Sequence, residues 1–318
     1  MNSKTRDSYF DNLRGFLIIC VIIGNSLEYI NPTSINPHYF ILCLYMFHMP
    51  LFTFISGYFC KKSKRTTKEK VIDTVKTYLF AQIFYYFFNL IVTKNYGLKF
   101  ELLKPSWTLW YLLALIFWYI ISDYITNYKK ALVISIILSL ILGFDPSLGT
   151  LASSSRIVFF LPFFIAGMAF EKKDLEKLKQ HKIAITLSTI IIFAILFAFR
   201  SVIDVETLFE YTNYTFYGGT STIPFLTRCF HFIGAFTIGS FILMVFPSKK
   251  TILSWIGKNS LILYISHSGI IKLLTLKHIM NYNSMFGVVI SECFILLIII
   301  IFTFIYCHSK EKLINITE

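Results

Sequence analysis

Two stretches of this chain, IIIFAILFAF at 190–199 and ILLIIIIFTFIY at 295–306, present no polar face at any helical phase. A helix apolar on every side belongs in lipid or deep inside a large bundle. The rest of the chain agrees: 318 residues are 56% hydrophobic and only 15% charged, with 34 Phe, where a soluble domain carries about a quarter charged residues. The first apolar span begins near Phe10, and no small-residue cleavage site follows it, so it is expected to stay as a helix and not to be removed as a signal peptide. The expected fold class is therefore all-α: a polytopic membrane helical bundle of about ten transmembrane helices.

At roughly 17–25 residues per crossing, the spans are placed near 12–31, 39–60, 71–93, 107–122, 130–146, 155–170, 182–200, 223–247, 258–277 and 284–307, the fourth to sixth being short. The formal net charge of +13 raises nucleic acid as a partner, but the cations lie in short clusters between apolar runs and no basic soluble domain exists to hold a duplex, so nucleic acid is excluded. Orientation explains the clusters. One set of alternate loops carries twenty Lys and Arg (Lys4, Arg6 and the segments 61–70, 129–130, 172–182, 249–258 and 310–312), the other five (Lys94, Lys99, Lys104, Lys272, Lys277). Lys and Arg concentrate on the inner side, which puts both termini in the cytoplasm. The six cysteines at 20, 43, 60, 229, 293 and 307 stand singly; neither a disulfide framework nor a metal site is expected.

An ionisable group inside a membrane segment costs a few kcal/mol and is a functional candidate by default. In DNLRGFLIICVIIGNSLE (11–28), Asp11 and Arg14 stand at i, i+3, where they can pair on one face. Arg14 and Asn25 are close to three full turns apart, roughly 16 Å along the axis, with Arg14 at the cytoplasmic mouth. In LYMFHMPLFTFISGYFCKK (44–62), His48 lies about 20 Å above the inner edge, and Pro50 disturbs the backbone bonding beside it. A neutral imidazole there is suited to take a proton from a hydroxyl; a structural histidine bonded to another helix is the alternative. In LSWIGKNSLILYISHSGIIKLL (253–274), His267 is about 14 Å in, and Asn259 and Ser260 are expected to cap the helix start. Asn25, His48 and His267 thus reach similar depths and are expected to converge. Arg156 and Arg228, near outer helix ends, either anchor to headgroups or line a path for a hydroxyl-rich substrate. No Gly-rich nucleotide loop, paired catalytic carboxylates, GxSxG or HExxH occurs.

With those residues in hand, the sequence resembles acyltransferase family 3, in particular its fucose 4-O-acetylase-like branch. The likeness is carried by YFDNLRGFLIICVIIGNS (9–26), FHMPLFTFISGYF (47–59), PSWTLWYLLALIFWYI (105–120) and WIGKNSLILYISH (255–267), with RIVFFLPFFIAGMAF (156–170) weaker. It implies one transmembrane domain over 1–318 with no attached soluble domain, and transfer of an acetyl group from cytoplasmic acetyl-CoA to a hydroxyl of a cell-envelope glycan, lipid-linked sugar or glycoside, in the bacterial cytoplasmic membrane. The family's opening motif is an Arg, ten residues and a His; Arg14 matches the Arg, and Asn25 stands where the His is expected. Asn cannot act as a base near neutrality, although it can orient a hydroxyl or hydrogen-bond an oxyanion. The resemblance accordingly assigns catalysis to His48, Asn25 and Arg14, donor binding to Arg14, Asp11, Lys61 and Lys64, and the acceptor path to Arg156, Arg228 and His267. Acetyl-CoA is a substrate, no cofactor is expected to stay bound, and self-association is left open. The rival reading is an exporter of a glycan or small polar molecule using the same cavity without acyl transfer; an assembly or sensor subunit ranks third.

Overall fold

The computed structural model describes residues 7–28, 35–147, 149, 151–216, 220–280 and 284–317. Lys4 and Arg6 of the N-terminal cluster, and the 29–31 end of the first expected span, lie outside them. Every described element is helical: α1 Ser8–Leu27, α2 Ile35–Lys62, α3 Thr67–Thr93, α4 Trp110–Ser122, α5 Tyr128–Leu142, α6 Ser154–Ala169, α7 Asp174–Gln180, α8 Lys182–Ala198, α9 Val205–Leu208, α10 Thr222–Val245, α11 Ile252–Lys258, α12 Ser260–Leu276 and α13 Met285–Thr317. The chain is a polytopic helical membrane protein.

All ten expected spans hold helix, but not all as single long rods. Among the described residues, six helices are long and apolar enough to cross a bilayer. The count rises to eight when two bent pairs, α7–α8 with a 78° bend and α11–α12 with an 80° bend, are each taken as one span. The fourth and fifth expected spans form the shorter α4, entered through a single 3-10 turn at Trp107–Leu109, and the 15-residue α5. Lys129 and Lys130, expected in a loop, fall in the first turn of α5, which Asn127 caps by accepting from the Lys130 amide (3.0 Å). None of the six cysteines is in a disulfide.

The helices are inside-out in polarity. Phe80, Ile91, Phe286 and Phe304 face outward, while Asn12, Asn25, His48, Gln82, Glu210, Arg228, His231, His267 and Glu292 are buried. Lipid solvates the first set; the second must find partners in protein.

Backbone contacts divide the chain into two compact units, residues 1–37 with 246–318, and residues 38–245. In the first, α1 and α11 approach through glycines: a Cβ on Gly15 would meet the Leu253 carbonyl, and one on Gly257 the Asp11 carbonyl. Small residues let membrane helices close to backbone contact. Asn12 locks the same pair. Its Nδ2 donates to the carbonyls of Pro247 (3.0 Å) and Lys249 (2.7 Å), and its Oδ1 accepts from the hydroxyls of Thr251 (2.7 Å) and Ser254 (2.6 Å). Thr251 and Ser254 form the capping box of α11. Asn259 makes no side-chain cap on α12; contrary to expectation, its Nδ2 donates back to the Trp255 carbonyl (2.9 Å). The 80° bend accounts for this, because the chain turns at Asn259 while its amide is still bonded into the last turn of α11.

In the second unit, Gly57 of α2 and Gly167 of α6 repeat the device: a Cβ on either would meet a backbone carbonyl of the other helix, that of Phe164 or Phe54. Ser56 and Tyr111 share a hydrogen bond of 2.6 Å, and the Trp118 Nε1–H donates to the Ile157 carbonyl (2.9 Å). Phe159, Phe163 and Phe232 pack ring against ring between α6 and α10, with Phe163 and Phe232 stacked.

Candidate functional site

The first unit brings together two of the three groups expected to converge. Asn25, near the C-terminal end of α1, places Nδ2 3.3 Å from Nε2 of His267 on α12. The same Nδ2 donates to the Val21 carbonyl (2.9 Å), and His267 Nδ1 lies 3.1 Å from the Leu263 carbonyl. A carbonyl requires a donor, so Nδ1 of His267 carries the proton and Nε2 is its lone-pair nitrogen. That fixes the amide as well: only its NH2 suits both a carbonyl and an unprotonated Nε2. Both Asn25 N–H groups are therefore committed, and what it offers a ligand is Oδ1. Asn25 does not stand ready as the oxyanion donor envisaged from sequence. Asp11 is buried and Arg14 half-buried, on α1.

Next to Asn25, the Ser26 hydroxyl donates to Oε2 of Glu292 on α13 at 2.5 Å, and Oε1 of that buried carboxyl has no hydrogen-bond partner. Sequence reasoning passed over Glu292, although it is the one charged residue between Met285 and Cys307, and a lone carboxyl in such a run is itself a signal.

The second unit holds His48, at 2% exposure. Its Nδ1 donates to the Leu44 carbonyl at 2.6 Å, one turn back on α2, so Nε2 is left as the lone-pair nitrogen. Tyr45 packs edge-on against the ring, with centroids 4.7 Å apart, and its other neighbour is Phe209 at 4.5 Å. The side chain is turned into protein.

Arg228 was expected at an outer helix end, anchored to headgroups or lining a path. It is instead buried, with Nε 2.6 Å from Oε2 of Glu210, an ion pair without hydrogen-bond alignment. Its terminal nitrogens reach the carbonyls of Ser139 (3.1 Å) and Thr212 (3.4 Å). An Arg in a low-dielectric interior needs a counter-charge, and the 201–216 segment supplies one by folding Glu210 inward. The other carboxylate oxygen, Oε1, lies 3.1 Å from Nδ1 of His231, one turn beyond Arg228 on α10. Glu210 and His231 were both missed. The RCFH spacing at 228–231 puts Arg and His on one helix face, but nothing local tells that a loop glutamate will join them.

Arg156 donates through Nε to the Phe209 carbonyl (2.9 Å) and lies over the rings of Trp110 (4.7 Å) and Tyr211 (5.5 Å). Lys61 and Lys64 are exposed at the end of α2, Lys61 over the Tyr128 ring at 4.8 Å. Among the described residues no group of three or more His, Cys, Asp or Glu is placed to hold a metal ion.

A family model described as an acyltransferase domain (Acyl_transf_3) matches residues 7–308. The chain belongs to acyltransferase family 3. Both compact units contribute to that match, so the domain's two parts are the first helix with the segment from residue 246 on, and the segment between. Two similar proteins are the nodulation protein NolL of Sinorhizobium fredii, 42% identical over 59 residues, and that of Mesorhizobium japonicum, 43% identical over 61 residues. Each match covers 18% of this chain and 16% of the relative. No solved structure matches. The protein is thus a member of an acyltransferase family with multiple membrane-crossing helices.

Proposed function

We propose that this protein is an O-acetyltransferase of the bacterial cytoplasmic membrane, moving an acetyl group from cytoplasmic acetyl-CoA to a hydroxyl of a cell-envelope glycan or lipid-linked sugar. The observation that carries the reading is the set of His48, in a family-3 acyltransferase chain: a buried imidazole whose Nδ1–H is held by the Leu44 carbonyl and whose Nε2 is left as a lone pair. Acyl transfer to a sugar hydroxyl is aided by such a nitrogen, which accepts a hydrogen bond from the acceptor as the new C–O bond forms. In the first unit Arg14, with Asp11 three residues before it, and in the second unit Lys61 and Lys64 are the cations offered to CoA phosphates; guanidinium and ammonium groups are the usual phosphate partners. In the second unit Arg156 borders the acceptor's approach, while Arg228 is buried against Glu210; in the first unit Asn25 has Oδ1 left to offer a donor. Both termini are cytoplasmic, following the distribution of Lys and Arg.

Mass spectrometry of envelope glycans from a deletion strain and its parent tests this. Loss of one acetyl group from a glycan on deletion is the expected result, and membranes carrying His48→Ala or Arg14→Ala lose at least tenfold in acetyl incorporation. Parental acetylation in both variants would remove these roles. Asn25 at the position of the family's histidine favours a second reading, an exporter using the same helices; that reading predicts an unchanged modification pattern, altered polymer localisation, and substrate movement in proteoliposomes with no acetyl-CoA and no CoA release.

A further inference from the structure

We propose that His231, positioned by Glu210, is a catalytic base of this reaction, and that the proton leaving the acceptor hydroxyl is lodged on its Nε2. The proposal rests on the acetyltransferase reading above. Three observations carry it. The carboxylate of Glu210 accepts from Nδ1 of His231 at 3.1 Å, which sets the tautomer and leaves Nε2 unprotonated. That Nε2 is fully buried, with no hydrogen-bond partner; buried polar atoms are nearly always satisfied, and an orphan marks a place where something else binds. Glu210 is also one of the few non-glycine residues with positive φ, at 55°. Backbone strain of that kind persists where surroundings impose it, and it gathers at functional sites.

Carboxylate, imidazole and unpartnered nitrogen in line form the arrangement in which an acid orients a base and stabilises the imidazolium that forms when the base takes a proton. Arg228, with Nε at 2.6 Å from Oε2, holds the Glu210 carboxylate aimed. His48 lacks a carboxylate: a backbone carbonyl holds its Nδ1. The charged and titratable groups facing His231 are Glu210, Arg228 and His48, with Tyr214 over Arg228 at 4.7 Å.

The step balances. The acceptor O–H bond breaks and its proton bonds to Nε2 of His231; the oxygen's electron pair forms the bond to the acetyl carbon. The carbon–sulfur bond then breaks, and the departing CoA thiolate takes the proton back from Nε2. His48, whose Nε2 is likewise a lone pair, is left to accept a hydrogen bond from the acceptor.

The test uses membranes containing the full chain, acetyl-labelled acetyl-CoA and the membranes' own lipid-linked sugars. His231→Asn keeps an N–H for Glu210 and removes only Nε2. It is expected to lower incorporation at saturating acetyl-CoA by at least about 100-fold, while the half-saturating acetyl-CoA concentration and the melting temperature in detergent stay at parental values. Glu210→Gln, which keeps the accepting oxygen without its charge, lowers the maximal rate in the same manner, again without moving the half-saturating concentration. Parental incorporation by His231→Asn, beside a His48→Ala that has lost it, overturns the proposal and leaves the acetyltransferase reading standing. A variant that loses its melting transition together with its activity gives His231 a structural role and also overturns it. A parent that acetylates no glycan removes both.

Discussion

Asn12 uses its whole hydrogen-bonding capacity, two donors and two lone pairs, on a single neighbour region, the start of α11 and the segment leading to it. Removing it leaves the hydroxyls of Thr251 and Ser254 and two carbonyls short of partners away from water, at about 1–3 kcal/mol for each group left unsatisfied. Asn12→Ala is accordingly expected to lower the detergent melting temperature clearly, whereas Asn12→Asp, which keeps the accepting oxygen but loses both donors, loses stability through the carbonyls alone. Sequence could name Asn12 as polar within an apolar helix, but not as a joint, because its partners lie more than two hundred residues away. His48 and His231 show the same limit from the other side. Both are histidines in apolar helices, and only their neighbours separate them: a backbone carbonyl behind one ring, a carboxylate behind the other.

Among the elements, the close pairs α1–α11 and α2–α6 depend on glycine at Gly15, Gly257, Gly57 and Gly167. A methyl group at any of these meets a backbone carbonyl, which cannot rotate out of the way as a side-chain end can. Overpacking of this sort costs about 1–3 kcal/mol. Gly57→Ala and Gly257→Ala are expected to lose stability in a detergent melt, with Gly149→Ala as the neutral comparison, since nothing lies within 4 Å of its would-be Cβ. Equal melting of Gly57→Ala and Gly149→Ala would contradict the close approach. Length governs the other element-scale outcome. The apolar pattern located ten helical regions correctly, yet it could not foresee the bends at His181 and Asn259, because each joins two segments that are both good helix and carry no proline between them.

For the whole molecule, the outward faces are apolar and the interior polar, so a charge belongs only where protein can answer it. Leu297, exposed midway along α13, is a lipid-facing position. Leu297→Arg is expected to cost about 2.5–3.5 kcal/mol of insertion free energy, read as a fall in the membrane-integrated fraction. Orientation is tested in a cysteine-free background: Lys64→Cys is expected to react with a membrane-impermeant thiol reagent only in inside-out vesicles, and Asp204→Cys only in intact cells. The reverse pattern would refute the cytoplasmic placement of both termini.

What the sequence determined unaided is the fold class, the approximate helical regions and the family, since composition, apolar run length and the motifs at 9–26, 47–59 and 255–267 are all local or one-dimensional. It also selected Asn25, His48 and His267 as polar groups that lipid does not tolerate cheaply. Tertiary structure alone decided which nitrogen of each histidine carries the proton, that both N–H groups of Asn25 are already committed, and that a glutamate from the 201–216 segment turns inward to hold Arg228 and His231. The physical reason is that a buried polar group takes its character from the partner that satisfies it, and in a helical bundle that partner comes from another helix or loop at a sequence distance no local pattern encodes.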